Sequence, residues 1–66
     1  MRLTVNGEAR EVEGVTTLAE LVAALGLDVR KVALERNLEI VPRSLHGATA
    51  VADGDRIEIV QFVGGG

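Results

Sequence analysis

One helix pattern in the middle of a short chain limits the folds that this sequence can adopt. Apolar residues recur at the i, i+3, i+4 and i+7 spacing of a single helical face: Leu18, Leu21, Val22 and Leu25. Thr17 and Glu20 have the spacing of a capping box, and Gly26 stands where a left-handed residue ends many helices. The sequence therefore predicts a helix over about Leu18–Leu25, whose apolar face must pack against strands.

A hairpin is predicted ahead of the helix. The first strand alternates, with three residues on one face: Met1, Leu3 and Val5. Asn6 and Gly7 follow, and this pair is the strongest short signal for a hairpin turn because both positions need positive φ. Glu8–Glu13 is the expected returning strand, with Val12 pointing inward, and its charges suit the edge of a sheet.

Further short strands are predicted after the helix. Asp28–Lys31 is a polar connection, and Val32–Leu34 is apolar enough to form a third strand. Leu38–Val41 is a short extended segment that Pro42 ends. Because proline cannot donate to a β-ladder, this segment is expected at an edge.

The last third of the chain contains one ambiguous segment and one clear strand. The pattern over Arg43–Ala52 favours no single structure, and Leu45 and Val51 are its expected anchors in the core. Asp53–Asp55, with its central glycine, predicts a turn. Arg56–Val63 predicts the final strand.

The final strand also predicts an exposed apolar patch. Its alternation puts Ile57 and Ile59 on one face and Val60 and Phe62 on the other. If the isoleucines face the helix, Val60 and Phe62 face outward, and together with Val63 they form a candidate partner-binding patch. The alternative is that the ambiguous segment covers Phe62 as ordinary core.

The order of the elements predicts one α+β domain, a mixed sheet of four to five strands with one helix packed across one face. A chain of 66 residues is enough for a single small domain. The sequence has no cysteine and one aromatic residue, so the core must be aliphatic and neither disulfides nor thiolate metal sites stabilise it.

The charge pattern argues against binding to nucleic acid. The net charge is −3, and the seven basic residues are scattered, whereas nucleic-acid binders cluster them. No apolar run approaches the roughly 18 residues of a membrane span, and no signal-peptide core follows Arg2. We therefore expect a cytoplasmic protein that binds neither nucleic acid nor membranes.

Three glycines directly follow the final strand: Gly64, Gly65 and Gly66. Glycine lacks Cβ and loses the most backbone entropy on ordering, so this tail is expected to be flexible when free and thin enough to enter a narrow channel. Glycine-rich ends also occur as disordered tails or linkers, but the missing polar spacer favours a functional tail. We expect a folded domain over residues 1–63 and a flexible tail over 64–66 that carries the α-carboxylate of Gly66.

Other candidates for chemistry are weak. His46 is the single histidine and is expected to be an ordinary loop residue, because no cysteine or suitably spaced carboxylate accompanies it. Ser44 has no evident base, and Asp53–Asp55 lacks the remaining ligands of a calcium loop. Glu35–Asn37 is expected to form a solvated rim, with partner recognition as the second possibility. The sequence therefore predicts no catalytic residue, no metal site and no stably bound cofactor.

The arrangement of elements and four segments resemble the ubiquitin-like β-grasp family, and within it the sulfur carriers of thiamin biosynthesis. The segments are Val5–Gly7, Glu35–Arg43 with its Asn-x-x-Ile-Val-Pro-Arg run, Asp53–Val60 and Phe62–Gly66. The resemblance covers essentially the whole chain. The glycines alone are common to carriers and modifiers of this fold, and the combination with the other segments narrows the choice.

The resemblance implies a role as a carrier, which is a substrate of enzymes and not itself an enzyme. A ubiquitin-activating-like enzyme would use ATP and Mg²⁺ to adenylate the Gly66 carboxylate. Sulfur from a desulfurase system would then convert it to a thiocarboxylate, and thiazole synthase would accept that sulfur. Gly64 and Gly65 would thread the active sites of these partners ahead of Gly66.

Three other interpretations stay open at this point. A carrier for molybdopterin synthesis has the same fold and activation but is usually longer and ends in two glycines, whereas this tail has three. A ubiquitin-like modifier would end on a lysine side chain of its target. A β-grasp interaction module would have an inert tail.

Overall fold

The computed structural model describes residues 1–62. In this part of the chain five strands form one mixed sheet in the order β2-β1-β5-β3-β4. The strands are β1 (Arg2–Val5), β2 (Glu8–Glu11), β3 (Val32–Arg36), β4 (Glu39–Val41) and β5 (Arg56–Gln61). The α-helix is α1 (Leu18–Ala24), and 3-10 helices span Val29–Lys31 and Arg43–Leu45. The predicted α+β layout, with one helix against a mixed sheet, is confirmed.

Local hydrogen bonds account for both ends of α1. The Thr17 hydroxyl accepts from the Glu20 amide at 3.2 Å, and the Glu20 carboxylate accepts from the Thr17 amide at 3.0 Å, which completes the predicted capping box. At the other end, Gly26 has a φ of 81°, and the Leu27 amide donates to the Val22 carbonyl at 3.1 Å. This is a Schellman ending, with Gly26 in the left-handed position that the sequence predicted.

The first hairpin turns at the predicted residues. Asn6 and Gly7 have φ values of 49° and 82°, as a two-residue turn between β1 and β2 requires. β2 lies at the edge of the sheet and is exposed along its length, as expected. It ends at Glu11 instead of the predicted Glu13, because Glu11 already pairs with Arg2 at the beginning of β1.

The second hairpin differs from the prediction at its turn. β3 continues past Leu34 to Arg36, because its pairing with β5 extends that far. Asn37 and Leu38 form the two-residue turn with φ values of 52° and 71°, so Leu38 is not part of the extended segment predicted for it. Pro42 follows β4 directly, and β4 is an edge strand, as predicted.

Replacing Leu38 with glycine is expected to stabilise the fold. Leu38 is 72% exposed and adopts a left-handed φ, which costs a residue with a Cβ about 1–2 kcal/mol. Glycine removes that strain but loses more entropy on folding, so Leu38→Gly should raise the free energy of unfolding by about 0.5–1 kcal/mol in urea titrations. Leu38→Ala keeps the Cβ and is the matched control. Equal stability of the two variants would refute this account.

The segment that the sequence left ambiguous packs differently from the prediction. Leu45 was expected as a core anchor, but it is 48% exposed, whereas Val51 is buried as predicted. His46 lies in a turn, as expected, but the 3-10 helix Arg43–Leu45 directs its ring inward, which the sequence did not predict. His46 is 3% exposed, and its Nε2 lies 3.0 Å from the Val41 carbonyl oxygen. The ring of His46 therefore links this segment to the end of β4.

The core lies between α1 and one face of the sheet. Ten buried apolar side chains form it: Leu3, Val5, Leu18, Leu21, Val22, Val32, Leu34, Val51, Ile57 and Ile59. β5 lies at the centre of the sheet, parallel to β1 and antiparallel to β3. Within residues 1–62, none of the helices combines the length and the apolar character that crossing a membrane requires.

Candidate partner-binding site

The patch predicted on the final strand lies on the sheet face opposite α1. Ile57 and Ile59 point into the core, while Val60 is 61% exposed and Phe62 is 47% exposed. The predicted alternation is confirmed, and the alternative in which another segment covers Phe62 is wrong. The strand itself ends at Gln61, so Phe62 continues directly from it.

The uncovered face carries more apolar surface than β5 alone provides. The strand register places Ala33 of β3 beside Val60 of β5. It also places Ile40 of β4 beside Glu35 of β3, on the same face of the sheet as Val60. Ile40 is 79% exposed. We define the open-face patch as Ile40, Val60 and Phe62. Sequence reasoning missed Ile40, because its face depends on the register between β4 and β3.

Two acidic side chains lie on the same face of the sheet, among the residues of the open-face patch. Glu35 and Glu58 are directly opposite each other on β3 and β5. Like charges in this relation destabilise a sheet, and only Glu58 has an ion-pair partner among the described residues, Arg56 at 3.4 Å. The patch is therefore apolar with an acidic centre, which suits a partner surface with Lys or Arg among apolar residues.

Hydrogen bonds fix β5 as far as Ile59 on the β1 side and as far as Phe62 on the β3 side. The Asn6 side chain acts as an additional strand residue, because its Oδ1 accepts from the Ile59 amide at 2.7 Å and its Nδ2 donates to the Ile59 carbonyl at 3.2 Å. On the other side, the Phe62 amide donates to the Lys31 carbonyl at 2.8 Å. The segment that leads into the tail therefore begins from a fixed point.

A buried carboxylate holds the beginning of β5. Asp55 is 6% exposed and accepts from Arg36 Nε at 2.8 Å, Asn37 Nδ2 at 3.0 Å and the Ala52 amide at 2.8 Å. Burial on its own would raise the pKa of Asp55, but the hydrogen bonds from Asn37, Ala52 and Arg36 outweigh it and lower the pKa. Arg36 and Asn37 are thus structural partners of Asp55 as well as partly exposed residues, a role that the expectation of a solvated rim did not include.

Stability is expected to fall as the pH drops below about 4, in part through Asp55. Its folded pKa lies below its unfolded value, so the unfolded chain binds more protons in this range and the stabilisation is lost as Asp55 protonates. Asp55→Asn should be less stable than the unsubstituted chain by about 1–2 kcal/mol at pH 7 and should lose less on acidification. Urea titrations between pH 7 and pH 2 measure both effects.

A second carboxylate controls for general acid sensitivity in that experiment. Asp28 is paired with Arg30, and the side-chain hydrogen bond from Arg30 lowers the pKa of Asp28 to about 2. Because this pair is retained in Asp55→Asn, the pH dependence should be reduced and not abolished. An identical pH profile in both proteins would contradict the role of Asp55.

Other predicted groups do not assemble into a catalytic or metal site. Among residues 1–62, no cluster of three or more His, Cys, Asp or Glu side chains could hold a metal ion. Ser44 is exposed, and His46 is buried against Val41. Val63 and the three glycines, Gly64, Gly65 and Gly66, lie outside the described residues, so their predicted roles stay predictions.

Comparison with known proteins agrees with this architecture. The sequence profile of the ThiS family matches residues 3–66. The sulfur carrier protein ThiS of Bacillus subtilis is 42% identical over 50 residues, which are 76% of each chain. The thiazole synthase of Paramagnetospirillum magneticum is 54% identical over 66 residues, all of this chain, but the chain spans only 20% of that protein.

A solved structure agrees over the full length. The crystal structure of the thiamine biosynthesis protein ThiS from Geobacter metallireducens is 40% identical, covers 100% of both chains and superposes with a TM-score of 0.83. This match confirms the predicted ubiquitin-like β-grasp fold. Since the family profile takes in both β5 and the glycines that follow it, the chain belongs to the ThiS family.

Proposed function

We propose that this chain is a sulfur carrier of thiamin biosynthesis that acts in the cytoplasm. The observation that carries the proposal is the match to the ThiS family over residues 3–66, which includes the glycine tail. The exposed open-face patch next to the tail supports it, because a carrier must dock on the enzymes that act on its end. The chain in this proposal is a substrate and not an enzyme.

The proposed reaction centre is the Gly66 carboxylate. An ionised carboxylate is a poor electrophile, so a ubiquitin-activating-like enzyme transfers AMP from ATP to one of its oxygens and releases pyrophosphate. The outer sulfur of a persulfide on the desulfurase system then attacks the carbonyl carbon, displaces AMP and gives an acyl disulfide. A thiol reductant cleaves the S–S bond of that disulfide and releases the thiocarboxylate. ATP and Mg²⁺ bind to the activating enzyme, and the carrier needs no cofactor of its own.

The proposed acceptor of the sulfur is thiazole synthase. The tail from Val63 to Gly66 spans at most about 13–14 Å when extended, so the folded domain must dock close to each active site. Val60 and Phe62 lie at the base of this tail, and we propose that with Val63 they contact both enzymes. Glu35 and Glu58 would favour a basic side chain on the partner surface.

Intact-mass spectrometry tests the proposal. The chain is incubated with ATP, Mg²⁺, a thiol reductant, a ubiquitin-activating-like enzyme and a sulfur-donating desulfurase system from the same organism. The expected result is a mass gain equal to the replacement of one oxygen by sulfur, which appears only with ATP. Addition of thiazole synthase and its substrates should then return the mass to its starting value.

The same reaction separates the alternatives. An unchanged mass, in a mixture that modifies an established carrier, would overturn the sulfur-carrier proposal and favour an interaction module with an inert tail. Sulfur transfer to molybdopterin synthase instead of thiazole synthase would assign the chain to the other pathway. Adducts of higher mass that survive boiling and reductant would indicate a protein modifier.

A further inference from the structure

The hydrogen-bonding directions of β5 alternate between its two neighbours. The Phe62 amide donates to Lys31 on the β3 side, whereas the Ile57 carbonyl accepts from the Asn6 amide on the β1 side at 2.9 Å. Main-chain groups of residues 57, 59 and 61 therefore face β1, and those of residues 58, 60 and 62 face β3. Gln61 follows this alternation and presents its N–H and C=O to the β1 side.

β1 ends before it reaches Gln61. The last residue of β1, Val5, pairs with Ile57, and the Asn6 side chain occupies the next position by bonding both main-chain groups of Ile59. Beyond Asn6 the chain turns away into the hairpin. Within residues 1–62, the outward N–H and C=O of Gln61 thus have no ladder partner, and they form a short open edge at the centre of the sheet.

A groove opens beside this edge on the α1 side of the sheet. It has a volume of about 320 Å³, and its floor is apolar: Val5, Leu25, Leu27 and Ile59. Glu8 and Arg10 line its outer rim together with Gln61. Because side chains of a strand alternate between faces, a strand paired with Gln61 would direct one side chain into this groove.

The charges at the rim narrow the chemistry of the occupant. The rim carries one acidic and one basic side chain, Glu8 and Arg10, and the floor of the groove is uncharged. Because the two charges oppose each other, the groove is a poor binding site for a small anion or cation. Glu8 and Arg10 complement a peptide segment with one apolar side chain, flanked by one basic and one acidic side chain. The unpaired main-chain donor and acceptor of Gln61 require an extended backbone, as in recognition by β-strand addition.

We propose that the Gln61 edge and its groove bind an extended segment of the enzyme that receives the tail. The segment adds a strand beside β5 where β1 ends, and it inserts one apolar side chain into the groove. The identity of the enzyme rests on the proposed function, and thiazole synthase is used as the probe. Gln61 lies only two residues before Val63, where the extended tail of the proposed function begins, so an enzyme that encloses the tail comes close to this edge.

Substitution of Gln61 by proline is the decisive variant. Proline removes the outward N–H, and because this N–H takes part in no bond to β3, the internal ladder is unaffected. Gln61→Pro should weaken the affinity for thiazole synthase about tenfold, the equivalent of one net hydrogen bond. Gln61→Ala also loses the side chain at the rim of the groove but keeps the main-chain donor, so it should bind more tightly than Gln61→Pro, and the difference between the two variants measures the contribution of the N–H.

A second pair of variants tests the groove. Glu8 faces the groove and Ala9 faces the opposite side of the same strand. Glu8→Trp should fill the groove and weaken binding, whereas Ala9→Trp, equally exposed, should not. Circular dichroism must show that all four variants are folded, and affinities are measured by isothermal titration calorimetry.

Amide hydrogen exchange measured by NMR reports on the edge directly. The Gln61 amide should exchange fast in the free chain and slowly in the complex. If thiazole synthase binds the unsubstituted chain but leaves this amide unprotected and tolerates Gln61→Pro, the edge proposal is overturned and the proposed function stands. If thiazole synthase does not bind at all, the proposed partner is wrong. Protection by self-association without the enzyme would assign the edge to a second copy, which also overturns the proposal.

Discussion

A chain that lacks Gly65 and Gly66 is expected to take up no sulfur. The truncated chain still ends in a glycine carboxylate, at Gly64, so its terminal chemistry is unchanged. Two residues shorter, however, it leaves that carboxylate about 7 Å short of the position from which, in the proposed reaction, the carboxylate would attack the α-phosphate of ATP. Intact-mass analysis should therefore detect neither an acyl-adenylate nor a thiocarboxylate, whereas the full chain in the same mixture is converted.

Two control experiments accompany the truncated chain: a measurement of its stability and a competition with the full chain. Its urea midpoint should equal that of the full chain, which excludes misfolding as the cause. Because the open-face patch is intact, an excess of truncated chain should slow the loading of the full chain. A truncated chain that gained sulfur at Gly64 would show that the length of the tail is not what positions the carboxylate.

Ile57→Ala is expected to unfold a large fraction of the protein. Ile57 is fully buried at the centre of the sheet, between β1 and β3 and under α1. Truncation of a buried isoleucine costs about 2–5 kcal/mol, because transfer energy is lost and a cavity remains. A domain of this size has a total stability of roughly 3–10 kcal/mol, so the loss is a major part of it.

The same strand supplies a matched control on its other face. Val60→Ala removes apolar atoms from a side chain that is 61% exposed, so its cost should stay below about 1 kcal/mol. Urea titrations followed by far-UV circular dichroism measure both variants at pH 7. Comparable losses for Ile57→Ala and Val60→Ala would contradict the assignment of the two faces, and with it the open-face patch.

The features that the sequence predicted well are local. The capping box of Thr17 and Glu20, the left-handed Gly26 and the Asn6–Gly7 turn depend on residues within four positions of one another. The alternation of side chains along β5 can be predicted without knowing which strands pair with it. The exposure of Val60 and Phe62 could therefore be predicted once the isoleucines had been assigned to the face that packs on the helix.

The features that the sequence did not predict depend on distant pairing. Ile40 joins the patch, and Glu35 faces Glu58, only because of the register among β4, β3 and β5. The turn at Leu38 was missed because leucine rarely adopts positive φ. Asp55 resembled a plain turn residue, since its partners Arg36 and Asn37 precede it by 19 and 18 residues.

The central position of β5 has a consequence for how the protein is made. The parallel pairing of β1 with β5 joins residues 52 apart, such as Thr4 and Arg56, and it connects the β1–β2 hairpin to the rest of the sheet. Closing so long a loop makes folding slow relative to a helical protein of the same length. During synthesis the complete sheet cannot assemble until β5 has left the ribosome, so a nascent chain that stops before β5 lacks the central strand and two of the three residues of the open-face patch, Val60 and Phe62.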